Sequence, residues 1–324
     1  MPMDTATEPL VSIVTATRNR PQMLAGTLEA VARQEGVVWE SIVVDDGSDA
    51  AALEANGVLV ARLGPRFRLV PPAAAGAPGT GPAAARNRGV RAARGRYIAF
   101  CDDDDHWNQS DHLAVALEAM QQRGAEFYFT NMRGENGGQV TIPDWFPDSP
   151  QLVRGRKVRD QPAVHEVALD DLMTVMRHHY PHPNGCVVAQ SLLDQVGLYW
   201  ERVDICEDVN LVLRLADRAG RILYRPDCVV GFNVTPRDSA FNRRPPIERW
   251  LACVYACQHA RALVTHASVR RCARAIEAWN LRQLAQYLQK EDRRPAARWS
   301  AWQALAAYPS LGNAGAWLRA MMRR

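Results

Sequence analysis

Short apolar runs of strand character alternate with stretches of helical period from about residue 10 to residue 130, and two of those runs end in aspartates. LVSIVT at 10–15 reads as a buried strand. Pro21 suits the first turn of the helix that follows, in which Leu24, Leu28 and Val31 recur at helical spacing. SIVV at 41–44 is a second strand and stops at Asp45-Asp46-Gly47-Ser48. FRLV at 67–70 is a third, followed by a Gly/Pro/Ala loop at 71–82 and a helix over about 83–94. YIAFC at 97–101 runs straight into Asp102-Asp103-Asp104-Asp105. Leu113, Leu117 and Met120 mark another helix, and EFYFT at 126–130 another strand. Such alternation predicts an α/β fold, a Rossmann-like, mainly parallel sheet with helices on both faces. Ligands of such sheets gather beyond the C-terminal strand ends, which is where both aspartate clusters fall.

Beyond residue 130 the pattern loosens. The stretch 131–162, rich in Gly, Pro, Asp and Trp, reads as irregular. CVVA at 186–189 and RILYR at 221–225 read as strands. Between them Glu207-Asp208 open a helix carrying Val209, Val212, Leu213 and Ala216 and closed by Gly220. From about 246 the period is helical to the end, interrupted near Pro295 and at Tyr308-Pro309-Ser310.

No apolar run approaches the roughly 18 residues of a membrane-spanning helix, and MPMDTATEPL lacks the basic start and apolar centre of a secretory signal. The seven cysteines are odd in number and include no CxxC, which predicts reduced thiols in a cytoplasmic protein, with Cys253 and Cys257 as core residues of one helix face. Charge is unevenly spread. From Arg243 onward there are 15 Lys and Arg against 4 Asp and Glu, which leaves 24 basic against 31 acidic residues in 1–242. An acidic front suits a metal site. For the basic tail two readings stand: a peripheral contact with an anionic membrane surface, or a packed helical subdomain or homodimer contact.

Four adjacent carboxylates repel one another, and a hard divalent cation such as Mn²⁺ or Mg²⁺ relieves the repulsion while keeping positions open for a diphosphate. In VVDDGS, Gly47 permits a tight turn and an aspartate can accept hydrogen bonds from a base N–H or a ribose hydroxyl. Arg86 could hold a phosphate or brace an aspartate, whereas Arg88, Arg91 and Arg94 fit a solvated helix face equally well. In Cys206-Glu207-Asp208 a carboxylate could take the proton of an attacking hydroxyl, or simply complement a helix N-terminus. HHYPHP at 178–183 holds three histidines without an i, i+4 pair and reads as an acceptor loop or plain surface rather than a metal site.

In order, VSIVTATRNRPQMLAGTLEAV, SIVVDDGS, AARNRGVRAARGRYIAFCDDDDHW and GLYWERVDICEDVNLVLRLADRAG resemble the family 2 glycosyltransferases of GT-A fold, over roughly residues 10–220. The resemblance implies an inverting transfer of a sugar from a nucleotide diphosphate donor (a UDP-, dTDP- or GDP-sugar) to a glycan, a lipid-linked or a small-molecule acceptor. It implies no nucleic-acid partner. Residues 1–245 would be the catalytic domain, with the nucleotide-sugar part at about 10–130 and the acceptor part at about 131–245. Residues 246–324 would be a basic helical extension. Thr15, Thr17, Arg18, Asp45 and Asp46 would line the nucleotide pocket, with Asp46 at the base, Asp45 on the ribose side and Arg86 nearby. Asp102 and Asp104 take the ends of the DxD motif, Asp104 and Asp102 as metal ligands, with Asp102 or Asp103 near ribose and diphosphate. Trp107 fits the aromatic that follows the motif. Asp208 would be the general base, with Glu207 beside it. The segment 233–245, NVTPRDSAFNRRP, would be a lid. The histidine that many relatives carry there is missing; Asn233 lies near its place, and Arg237 or Arg243 could meet phosphate instead. A cytoplasmic enzyme at the inner face of the cell membrane would fit this reading. Two rivals remain, a nucleotidyltransferase of sugar phosphates and a non-catalytic sugar-nucleotide-binding domain.

Overall fold

The structure is a computed structural model and describes residues 8–72, 74, 76–147, 149–160, 162–234 and 244–322. In chain order the elements begin with β1 (Val11–Thr17), α1 (Pro21–Ala32), β2 (Trp39–Asp45), α2 (Ala50–Leu63), β3 (Phe67–Val70), α3 (Pro82–Ala92), β4 (Tyr97–Phe100) and β5 (His106–Trp107). Next come α4 (His112–Arg123), β6 (Phe127–Asn136), β7 (Gln139–Ile142), β8 (Lys157–Arg159), β9 (Val164–Val167), α5 (Leu169–Val175), β10 (Cys186–Ala189) and α6 (Gln190–Val196). The last are α7 (Glu207–Arg218), β11 (Ile222–Asn233), α8 (Pro246–Leu263), α9 (Ala267–Lys290), α10 (Arg294–Ala307) and α11 (Leu311–Met322).

Two compact units interleave along the chain. One gathers the described residues of Met1–Ala168, Pro181–Glu201 and Arg218–Val234, the other those of Leu169–Tyr180, Arg202–Asp217 and Thr235–Arg324. The helix that begins at Glu207 therefore groups with the C-terminal helices, whereas the sequence alone suggested a single cut near 245.

The first unit holds one sheet of order β3-β2-β1-β4-β10-β6-β11-β9-β8, with β5 on β11 and β7 on β6. Strands β3, β2, β1 and β4 are mutually parallel, as is the β6–β11 pair; β10 runs antiparallel between β4 and β6, and β9 and β8 continue antiparallel. The expected α/β fold is present, purely parallel in its nucleotide half and mixed beyond it. Strands of a parallel sheet are covered on both faces and so read as continuous apolar runs. Val11, Ile13 and Val14 of β1 and Ile42, Val43 and Val44 of β2 are accordingly all buried. Leu24, Leu28 and Val31 supply the buried face of α1. Register pairs Thr17 with Asp45 and Val14 with Phe100, so the residues after β2 and β4 emerge along one sheet edge.

The second unit is helical. Its core consists largely of small side chains at helix crossings: Val254, Ala278, Leu281 and Ala304 in one cluster, Leu284, Leu288 and Ala297 in another, and Ala285, Ala301 and Ala320 in a third. The Asp217 carboxylate ties the end of α7 to the start of α9 by accepting the backbone N–H groups of Thr265 and His266, at 2.9 and 2.8 Å. The breaks expected at Pro295 and at 308–310 are the first turn of α10 and the α10–α11 connection. One expectation is overturned: Cys206 and Cys253 form a disulfide, their Cα atoms 5.2 Å apart across 47 residues of sequence. An odd count and the lack of a CxxC could not reveal that folding would bring these two together. Cys101, Cys186, Cys228, Cys257 and Cys272 are free thiols, and Cys257 is the core residue expected.

Candidate functional site

The acidic run is held as a compact turn by its backbone. The N–H of Asp105 returns to the carbonyl of Asp102 at 3.1 Å. The Thr27 hydroxyl on α1 donates to the carbonyls of Asp102 (3.2 Å) and Asp105 (2.7 Å). Each carboxylate then finds a different partner. Arg86 on α3 donates to Asp102 at 2.7 Å, the bracing contact that was one of its two expected roles. The Thr17 hydroxyl donates to Asp103 at 2.7 Å. Arg20 spans Asp103 (3.3 Å) and Asp104 (3.0 Å). Asp105 accepts the backbone N–H of Asn233 at 2.8 Å and the side-chain amide of Asn184.

Among the described residues the four acids share two arginines, and their titration reflects the shortfall. For Asp102, burial pushes the carboxyl up, but Arg86, His182 and the Asn184 amide outweigh it and the net shift is downward. Burial and the neighbouring Asp104 raise Asp103 to about 7, against the pull of Thr17 and Arg20. Asp104 and Asp105 are likewise raised by burial and then by their acidic neighbours. Such a cluster gains from a cation.

His182 belongs to this cluster, not to the surface. It is buried, its ring lies 5.2 Å from that of Phe232, and one of its nitrogens and one oxygen each of Asp102 and Asp105 all come within 4.8 Å of one another. The expectation of a plain surface is corrected here. What sequence reasoning also missed is Asn184, which follows in a short 3-10 turn, Pro183–Gly185. Its Oδ1 accepts the Asp102 N–H, its amide donates to Asp102 and Asp105, and its backbone carbonyl accepts the Trp107 indole N–H at 2.8 Å. Neither residue carries a local signal, because they reach the turn from some eighty residues away in sequence.

After β2 the chain turns at Gly47 with φ +86°, and a Cβ there would lie 2.2 Å from the Ala77 carbonyl, so glycine is required. Asp45 is fully buried and spends its carboxylate on the N–H groups of Gly47 (3.1 Å) and Ser48 (2.8 Å) and on the Asn56 amide (2.9 Å). It shapes the turn. Asp46 accepts the Thr80 hydroxyl (2.6 Å) and the N–H groups of Thr80 and Gly81 (both 2.9 Å), which fastens the chain before α3 to the end of β2. Arg88 donates to the Asp45 carbonyl and stands 3.7 Å from the Asp46 carboxylate, so it serves this turn instead of a solvated face. Thr15 is buried and its hydroxyl has no partner among the described residues, while Arg18 is exposed at the mouth of the turn. In the second unit Glu207 and Asp208 form the first turn of α7, both buried. Just before them Cys206 takes a left-handed φ of 61° and is bonded to α8 through Cys253. Residues 235–243, which include most of the expected lid with Arg237 and Arg243, lie outside the described residues.

The sequence profile of the family described as Glycosyl transferase family 2 matches residues 12–161, the segment that holds both aspartate clusters. The chain carries a family 2 glycosyl transferase domain. Among relatives, TuaG of Bacillus subtilis (strain 168), whose name places it among glycosyltransferases of teichuronic acid biosynthesis, is 34% identical over 123 residues. That alignment covers 38% of this chain and 46% of TuaG, so the likeness spans less than half of the relative. Among solved structures, residues 1–349 of S. aureus TarS superpose with a TM-score of 0.64 at 17% identity, over 92% of this chain and 81% of that one. The mannosyltransferase PcManGT of Pyrobaculum calidifontis, solved with GDP-Man and Mn²⁺, gives 0.59 at 19% identity over 98% and 80%. At such identities the likeness shows the fold, which is the GT-A type expected.

Proposed function

We propose that this chain is an inverting glycosyltransferase that moves a sugar from a nucleotide diphosphate donor to an acceptor hydroxyl by single displacement, in glycan or glycoconjugate biosynthesis. The observation that carries the reading is the acidic turn after β4, four carboxylates for which the described residues supply Arg20 and Arg86 as ion-pair partners, inside a family 2 domain. TarS has been solved with UDP-GlcNAc and PcManGT with GDP-Man, which supports a sugar nucleotide as donor.

The donor set suits a hard cation. Asp104, the less enclosed carboxylate, and Asp102 would hold Mn²⁺ or Mg²⁺, with Asp105 and His182 completing an oxygen- and nitrogen-bearing wall behind Asp102. Bound there, the ion would offset the charge that develops on the departing diphosphate. Thr17, Arg18 and Asp46 border the nucleotide pocket in this reading, Thr15 and Asp45 support it from beneath, and Asp103 lies toward ribose and diphosphate. Asp208, with Glu207 beside it, takes the proton from the acceptor hydroxyl. A single displacement requires no enzyme nucleophile, and the buried thiols Cys101 and Cys257 are held protonated by burial, consistent with that. The acceptor is a glycan, lipid-linked or small-molecule hydroxyl. Among the described residues no helix is long and apolar enough to cross a membrane.

A thermal-shift screen of UDP-, GDP-, dTDP- and CDP-sugars with Mn²⁺ tests the reading, since a ligand of the native state raises its stability by mass action. One donor class should raise the midpoint only with the metal present. A flat response to every sugar nucleotide would reject it.

A further inference from the structure

Helices α10 and α11 are built the wrong way round for an ordinary soluble helix, which turns its large apolar residues inward. Their buried residues are small or polar: Ala297, Ser300, Ala301 and Ala304 on α10, and Asn313, Ala316 and Ala320 on α11. Most of their large apolar residues face out, while Trp317 packs on the third core cluster. Trp299 is 64% exposed and Trp302 46%, while Leu311, Leu318 and Met322 stand at 94%, 49% and 71%. Positions 299, 302 and 306 share one helix face, as do 311, 318 and 322. The two faces adjoin, because the Trp302 ring lies 5.9 Å from that of Trp317 and Arg298 on α10 donates to the Ala320 carbonyl on α11 at 3.2 Å.

Charge says what such a face fits. From Arg293 to the end of the sequence there are six arginines and no acidic residue. Arg293, Arg298 and Arg319 have no acidic partner among the described residues. Pairing with a second copy across a two-fold axis would set these cations against their own kind. Tryptophan beside aliphatic side chains and arginine matches an interface whose outer layer is anionic and whose inner layer is apolar. We propose that the outer face of α10 and α11 docks on an anionic phospholipid bilayer, with Trp299, Trp302, Leu318 and Met322 at the headgroup boundary and the arginines on lipid phosphates. The inference stands apart from the transferase reading, since it draws on none of the sheet-edge residues.

Flotation of the full chain with phosphatidylcholine vesicles, with and without phosphatidylglycerol, tests it. The protein should float with the anionic vesicles, at least about tenfold more strongly than with neutral ones, and high salt should weaken the binding. Trp299→Ser with Trp302→Ser should lower partitioning by at least about tenfold. Arg293→Gln and Arg319→Gln should each cost about fivefold. Because these side chains are exposed, the variants should keep the wild-type circular dichroism and thermal midpoint. Should a variant fold poorly, quenching of wild-type tryptophan emission by brominated lipid replaces it, and strong quenching is expected. Any of three results would overturn the proposal: no flotation with anionic vesicles, equal flotation of wild type and the folded tryptophan variant, or a dimer that the tryptophan variant dissociates and that excludes vesicles.

Discussion

Asn184 and Asp102 clasp each other twice: the Asp102 backbone N–H donates to the Asn184 side-chain carbonyl, and the Asn184 amide donates back to the Asp102 carboxylate, each at 3.2 Å. The pair fixes which way Asp102 points, and Arg86 fixes it from the other side at 2.7 Å. Partners that orient a metal ligand typically change affinity by about ten- to a hundredfold when removed. Asn184→Ala should therefore weaken Mn²⁺ binding by that range, measured by calorimetry, while the fold survives. An unchanged affinity would show that the clasp serves stability alone.

Protonation of the acidic turn gives a pH signature. Asp103 is raised to about 7 from an ordinary value of 3.8, chiefly by burial and Asp104. Between those values the folded chain binds more protons than the unfolded one, so this group's contribution to stability falls as pH climbs toward and through 7. The midpoint of the metal-free protein should decline over that window, less steeply in Asp103→Asn, and saturating Mn²⁺ should flatten the decline. The same slope in wild type and Asp103→Asn would remove Asp103 as the cause.

Reduction should loosen the second unit. The Cys206–Cys253 bridge, anchored directly before Glu207, closes a loop across 47 residues of sequence. Chain-entropy estimates for loops of this length give roughly 4 kcal/mol, with measured values usually at about 2–4 kcal/mol. Cys253→Ser should lower stability to denaturant by that amount, and dithiothreitol should destabilise wild type but not the variant. Equal sensitivity of both proteins to dithiothreitol would contradict the bridge.

The nucleotide half of the fold was legible because parallel strands announce themselves as apolar runs, and β2 and β4 end where their runs meet aspartates. The acidic turn was legible for the same reason. Asn184 and His182 were not, since a turn residue becomes a partner of Asp102 only after β10 inserts between β4 and β6. Arg88 was ambiguous because helix-surface periodicity cannot tell a solvated arginine from one that folds back on a carbonyl. The disulfide was hidden because its two halves lie on α8 and just before α7, and spacing carries no trace of their approach.

Asp208 and Asp104 should fail in different ways. Asp208→Asn keeps the volume of the side chain but cannot accept a proton, and positioned bases contribute about a hundred- to ten-thousandfold. It should retain donor affinity and lose transfer by that factor. Asp104→Ala should lose donor affinity as well. Turnover of Asp208→Asn within a few-fold of wild type would move the base to Glu207 or elsewhere.

The central claim is that the acidic turn binds a nucleoside diphosphate through a divalent cation, and calorimetric titration of UDP and GDP into the protein with Mn²⁺, and again with EDTA, tests it most directly. The account predicts saturable binding of one nucleotide with Mn²⁺, lost in EDTA and in Asp104→Ala. Equal affinity with and without the metal, or no binding of either nucleotide, would contradict it.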